Sequence, residues 1–367
     1  MYLHSKLEDY KKNINIAFIG CGKFISMFLS QYNQLKKIKI DTIIDLDIER
    51  AKSNCIKSGL KKETVEKINF VNSLDSILNR NIEIFIEATG NPVAGTQHAC
   101  KVIQAKKDII MVNVEADVLC GKYLSDLAKE NNVIYSMAYG DQPSLIIEQI
   151  EWARLNGFFV TCAGKGTKYI PEYRYNTPDD SMTQYGHLNK KISTSNLNNK
   201  MYNSFLDGTK SAVEMCSVSN MTGLLPDVPG MHFPAAAIEE IPGLLCPRED
   251  GGILSRKGAV EVVSSVRRDG TPIDNHLRWG VYVVITSENK YLRTCMADYG
   301  MAMDPSGRYA VMYRPYHLVG METPVSIARA HLYGEATGAP AARLCEVAAT
   351  AKTNLNSGES LDGEGGY

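Results

Sequence analysis

The stretch Ile14-Asn-Ile-Ala-Phe-Ile19-Gly20-Cys21-Gly22-Lys23-Phe24-Ile25 decides how this chain of 367 residues folds. A short β-branched run ends on Gly20, and a helical stretch follows from Lys23 to about Leu35. In such a strand–turn–helix corner the first glycine permits the tight turn. The second, Gly22, lets the backbone come close to a diphosphate. The free N–H groups at the start of the helix, around Lys23 and Phe24, then face the phosphates with a partial positive charge. The third position of the pattern, glycine where helix and strand pack closely, is Ile25, so this helix is expected to pack differently. A plain βα turn is the bland alternative to a dinucleotide-binding corner.

Outward from this corner, strand-like runs alternate with helical segments. Ile38–Asp45, Ile82–Glu87, Ile109–Asn113 and Val133–Met137 read as strands, and Val93–Ile103, Val118–Leu127 and Leu145–Leu155 as helices. That alternation predicts an α/β fold, a Rossmann-type doubly wound parallel sheet over residues 1–163. Asp45 ends the second strand about 23 residues after Gly22, where an acid hydrogen-bonds the adenosine ribose and disfavours a 2′-phosphate. A helix N-cap is its alternative role. Asp47 and Arg50 follow closely, which leaves NAD and NADP both open. Glu87-Ala-Thr89-Gly90-Asn-Pro92 closes a core strand beneath the expected nicotinamide half, and Asn113 and Glu115 close the next.

From Gly164 the pattern changes. Val260–Val266 and Trp279–Thr286 look like strands of a sheet with one wet face, inside an α+β substrate and oligomerisation domain over 164–338. The polar stretch Gln184–Asn203 reads as a loop excursion. The glycine-rich tail 339–367 looks like the start of a further unit cut short.

Composition bounds the function. Forty basic against 41 acidic residues leave a net charge of -1, which points away from nucleic acid and anionic membranes. No apolar run is long enough for a membrane span and no secretory signal is visible. The nine cysteines show no C-x-x-C spacing, so small core residues in a reducing cytoplasm are expected.

Two clusters could serve a nicotinamide enzyme, which needs a group to polarise a carbonyl and another to orient the substrate. Gly164-Lys165-Gly-Thr-Lys168-Tyr169 reads as a flexible cationic turn suited to an anionic group or a developing alkoxide. In Phe205-Leu-Asp207-Gly-Thr-Lys210, Asp207 is expected to cap a helix that brings Lys210, Glu214 and Asn220 near one face. An ordinary i,i+4 ion pair on a solvated face is the bland reading. Asp141 and Gln142 follow the Tyr135–Gly140 strand end, where ligands collect, and are candidate substrate contacts. His232, His276 and His317 each read as structural, and no histidine or carboxylate spacing marks a tightly held metal.

These motifs are familiar. The chain resembles the homoserine-dehydrogenase-like oxidoreductases that carry a C-terminal SAF domain, a group including 1-deoxy-D-xylulose 5-phosphate reductoisomerase-like enzymes. The likeness rests on Gly20–Phe24, Glu87–Gly95, Val112–Leu119, Tyr139–Pro143, Gly164–Tyr173, Phe205–Glu214, Pro247–Gly252, Tyr313–Pro324 and the tail from Ala339. The resemblance implies an NAD(P)-dependent oxidoreductase acting on a small hydroxylated carbonyl compound, phosphorylated or not, and assembled as a homodimer or larger homo-oligomer. Asp207 and Lys210 look like counterparts of the Asp and Lys that homoserine dehydrogenases place on one helix, at shorter spacing. Val114-Glu115 stands where that family has a further lysine, which argues against homoserine itself. A reductoisomerase would want a divalent cation, Mg²⁺ or Mn²⁺, for which Asp207, Glu172 and Glu214 are the available carboxylates. A cofactor-binding protein without turnover is the rival class.

Overall fold

The computed structural model describes residues 2–185 and 198–366. The chain divides into two compact units, whose described residues are 2–148, 220–222 and 317–343 in one, and 149–185, 198–219, 223–316 and 344–366 in the other.

In the first unit, β1 (Ile14–Ile19), β2 (Ile38–Ile44), β3 (Asn69–Val71), β4 (Ile84–Glu87), β5 (Asp108–Met111) and β6 (Tyr135–Met137) form one parallel sheet. Its order is β3-β2-β1-β4-β5-β6, so the α/β expectation holds. The winding reverses between β1 and β4, and the C-terminal ends of those strands are where open α/β sheets bind ligands. Both faces are covered, which is why β4 reads as an unbroken apolar run up to Glu87.

Helices Pro92–Gln104 and Val114–Asn131 carry the chain from β4 to β5 and from β5 to β6. Each begins on an asparagine whose side-chain oxygen accepts a backbone N–H, Asn91 from Ala94 and Asn113 from Ala116. The helix expected from Lys23 to Leu35 is shorter, Lys23–Leu29, with a 3-10 turn at Tyr32–Gln34. Ile25 points into the core with Ile16, Phe18 and Phe28, so the larger side chain fills core space and leaves the corner clear. Residues 317–343 return to this unit, where helix Thr323–Tyr333 packs on helix Leu3–Asp9 and on β5 and β6.

In the second unit, β7 (Phe159–Thr167), β8 (Leu225–Pro226), β9 (Ala259–Ser264), β10 (Val281–Thr286), β11 (Ala302–Met303) and β12 (Tyr309–Arg314) form a mixed sheet. Its order is β11-β12-β10-β7-β9-β8, with β7 antiparallel to β10 and parallel to β9. Two expectations change here. The cationic turn from Gly164 is the end of β7, and its glycines serve close packing. A Cβ on Gly164 would sit 1.7 Å from the Glu261 carbonyl oxygen, and one on Gly166 would sit 1.8 Å from that of Leu277. The sheet with one wet face is instead buried on both faces throughout β9 and β10. Ile241, Leu245 and Leu254 cover Tyr282 and Val284. Of the excursion expected over 184–203, residues 186–197 lie outside the described ones. Its flanks are helical, in Pro178–Tyr185 and Asn199–Leu206.

The packing at β7 makes a direct prediction. Gly164→Ala is expected to lower stability by about 1–3 kcal/mol or more, since the neighbouring strand backbone must move. The urea midpoint measures it, and an unchanged midpoint would contradict the close approach.

Candidate functional site

At the end of β1, Gly20 adopts φ +90°, and a Cβ there would lie 2.9 Å from the Ala88 carbonyl oxygen. Only glycine meets both conditions. The corner is tied to β2. The Gly20 N–H donates to the Ile44 carbonyl at 2.7 Å, and the Cys21 N–H donates to Asp45 Oδ2 at 2.8 Å. Asp45 Oδ1 accepts from the Asp47 N–H at 2.9 Å and from the Arg50 guanidinium at 3.0 Å. The carboxylate expected to face a ribose therefore also fastens the turn. The cap of the following helix falls to Asp47, which accepts the Arg50 N–H.

Gly22, the N-cap of helix Lys23–Leu29, has no atom within 4 Å of where a Cβ would stand. Lys23 beside it is exposed and Phe24 half-buried. This is the open space over a helix start that a diphosphate needs. The Cys21 thiol is pushed far up by its hydrogen bond with Cys55 and by burial, so it stays neutral.

At the end of β4, Glu87 is fully buried. Its Oε1 accepts from the Thr89 N–H at 3.3 Å and from the Thr89 hydroxyl, and lies 3.4 Å from His98 Nδ1, while Oε2 has no hydrogen-bond partner. Gly90 takes φ +71° with open space around it. Asn113 Nδ2 donates to the Asn91 carbonyl at 2.9 Å. A Cβ on Gly95 would touch both Asn113 Nδ2 and Glu87 Oε2, which brings Thr89, Gly90 and Asn113 to one edge of the sheet. Glu115 sits half-buried in the first turn of helix Val114–Asn131. Past β6, Asp141 Oδ1 accepts the N–H of the buried Gln142 at 2.9 Å.

Among the described residues of the second unit, two lysine–carboxylate pairs are largely buried. Lys165 on β7 and Glu214 on helix Thr209–Thr222 form an ion pair with side chains only 7% and 4% exposed. The structure thus sets Lys165, from the other lysine cluster of the sequence, beside Glu214. Helix Thr209–Thr222 starts two residues after Asp207, on Gly208 at φ +92°, and Asp207 Oδ1 accepts the Thr209 N–H at 3.0 Å. Lys210 lies half-buried in that first turn.

Asp207 Oδ2 accepts from Lys352 at 2.9 Å, and the same ammonium donates to the carbonyls of Asn176 at 2.6 Å and Gly366 at 2.9 Å. Asn203 Nδ2 donates to the carbonyls of Asn176 and Gly365. Lys352 escaped the sequence reading because it lies in an irregular stretch 145 positions from its partner. Lys168 points elsewhere, donating to the Gln184 carbonyl. Burial and the neighbouring Arg278 hold its pKa below the ordinary lysine value.

Among the described residues no three His, Cys, Asp or Glu side chains gather as a metal-binding group. Asp207, Glu172 and Glu214, expected as ligands of a divalent cation, form no such set, since lysines engage two of them.

Residues 140–323, just over half of the chain, match the family model described as oxidoreductase DRL, catalytic domain. Residues 14–139 match an oxidoreductase family model with an NAD-binding Rossmann fold. A 1-deoxy-D-xylulose 5-phosphate reductoisomerase of Endomicrobium trichonymphae is 28% identical over 133 residues, 35% of this chain and 32% of that protein. The chain thus spans about a third of the length of this curated relative. Among solved structures, S. aureus homoserine dehydrogenase aligns at 21% identity with a TM-score of 0.28, over 40% of this chain and 43% of that one. The Bacillus subtilis oxidoreductase yvaA aligns at 14% identity with a TM-score of 0.43, over 89% and 91%. Neither score reaches 0.5.

Removing Glu214 alone would leave a buried, uncompensated ammonium. Glu214→Leu is expected to cost about 3–5 kcal/mol, and the double variant Lys165→Met/Glu214→Leu to recover most of it. Chemical denaturation of the three proteins decides it, and additive effects would show that the pair is not coupled.

Proposed function

Because the chain belongs to the oxidoreductase family whose DRL catalytic domain it matches, we propose that it transfers hydride between NAD or NADP and a small hydroxylated carbonyl compound. The observation that carries this reading is the corner Gly20–Gly22, held by Asp45 and open above Gly22. The nicotinamide, when bound, supplies or accepts the hydride. Gly20, Gly22, Lys23 and Phe24 would seat the diphosphate, and Asp45 the ribose with its remaining acceptor capacity. Thr89, Gly90, Asn113 and Glu115 would line the nicotinamide half.

In the second unit, Lys165, Lys168 and Lys210 would bind the substrate's anionic group or polarise its carbonyl, with Glu214 orienting Lys165 and Asp207 orienting Lys352. A lysine held by a buried carboxylate is fixed in direction, which suits a group that must meet a forming alkoxide. Lys352 joins this set through Asp207. Asp141 and Gln142 are further candidate substrate contacts. The partial likeness to a 1-deoxy-D-xylulose 5-phosphate reductoisomerase favours a second reading, rearrangement and reduction of that sugar phosphate.

Thermal shifts with NAD⁺, NADP⁺ and their reduced forms test the cofactor. A nucleotide at 100 times its Kd is expected to stabilise by about 2.7 kcal/mol, and no shift with any of the four would end this reading. Gly22→Val sharpens the test. Its side chain enters open space, so melting without nucleotide should fall only by the cost of a poorer N-cap, about 1 kcal/mol, while the nucleotide shift disappears.

Lys210→Ala is expected to lower kcat with the fold intact. Indifference, alongside cofactor binding without turnover on hydroxy acids and sugar phosphates, would favour the non-catalytic class. Oxidation of NADPH with 1-deoxy-D-xylulose 5-phosphate and Mg²⁺ or Mn²⁺ decides the second reading.

A further inference from the structure

Two cations of the second unit are held together with no carboxylate partner among the described residues. Arg278 follows the close contact between Leu277 and Gly166, Lys168 stands two residues beyond Gly166, and both side chains reach the last two carbonyls of one helix. The Arg278 guanidinium lies between two rings, 4.9 Å from the centre of Tyr185 and 4.7 Å from that of Trp279. One N–H donates to the Tyr185 carbonyl at 2.6 Å. The Lys168 ammonium lies 5.8 Å from the Tyr173 ring and donates to the adjacent Gln184 carbonyl. Tyr173 and Tyr185 are buried, while Arg278 and Lys168 are half-buried.

Among the described residues, neither cation forms an ion pair with a carboxylate, and residues 186–197 contain no Asp or Glu. The two carbonyls end helix Pro178–Tyr185, whose terminus carries about half a unit of negative charge. Against two full positive charges that leaves a clear excess. Burial and mutual repulsion both oppose this arrangement, and they lower the pKa of Lys168. The rings hold the guanidinium plane in place, so its fork is oriented before any ligand arrives. A guanidinium fork beside a point-charge ammonium matches an oxyanion, with paired N–H donors for two oxygens and the ammonium for a third.

We propose that Lys168 and Arg278, braced by Tyr185 and Trp279, form the seat for an oxyanion, the phosphate or carboxylate end of the substrate. As a statement about substrate this rests on the oxidoreductase reading. The seat itself does not, and its test uses no nucleotide, so the two can fail separately.

The chain has two tryptophans, Trp152 and Trp279, so Trp152→Phe leaves the emission of Trp279 to report on Arg278. Inorganic phosphate and acetate are titrated into this full-length variant at constant ionic strength, with calorimetry in parallel. The expected result is saturable binding, weakened about 10- to 100-fold by Arg278→Gln or Lys168→Gln in folded protein. Arg278→Lys, which keeps the charge and loses the fork, should also weaken binding. Tighter phosphate than acetate assigns the ligand to phosphate esters, and the reverse assigns it to carboxylates. A response no larger than that of sodium chloride overturns the proposal. So does undiminished binding in Lys168→Gln, the variant that decides the matter should Arg278→Gln fail to fold by circular dichroism.

Discussion

A side chain at position 20 would have to share space with the carbonyl oxygen of Ala88 while the backbone holds φ +90°. That steric constraint sets the corner. Because Gly20 lies so close to the end of β4, the ends of β1 and β4 stand side by side, and the chain leaves β1 toward the helix at Gly22. Asp45 then closes the corner from the β2 side by accepting the Cys21 N–H. One carboxylate and one glycine thereby place a helix start over the switch point of the sheet. Ile25 occupies the position where a smaller residue is usual, and it turns inward to the core.

The second unit works by a different principle. Its central strand approaches its neighbours so closely that Gly164 and Gly166 have no room for a Cβ. That close packing buries the neighbouring lysine, and a buried ammonium is tolerable only with a partner. Lys165 has Glu214, and Lys352 has Asp207 with two backbone carbonyls. Lys168 has no carboxylate among the described residues. Neutral carbonyls and aromatic faces hold it and Arg278, an arrangement that sacrifices stability and retains positive charge for use.

Much of the first unit was legible because its signals are local. The β-branched runs at 14–19, 38–45 and 82–87 became β1, β2 and β4 to within two residues. Asn113 could be picked out as the close of a strand, although its capping of the next helix could not. β3, three half-buried residues, carries too little apolar periodicity to be seen. The glycines of 164–169 were legible as glycines but not as a strand. Glycine marks a turn and a tight strand contact equally well, and only the neighbouring backbone tells them apart.

By itself, then, the sequence determined the α/β alternation, the glycine corner after β1 and the identity of most charged groups near the candidate site. Those follow from periodicity and from the stereochemistry of single residues, which act over a few positions. The tertiary structure alone decided who partners whom. Lys165 meets Glu214 across 49 positions and Lys352 meets Asp207 across 145, while helix Thr323–Tyr333 returns to the first sheet. Such pairings depend on the burial of distant segments against one another, which no local pattern encodes.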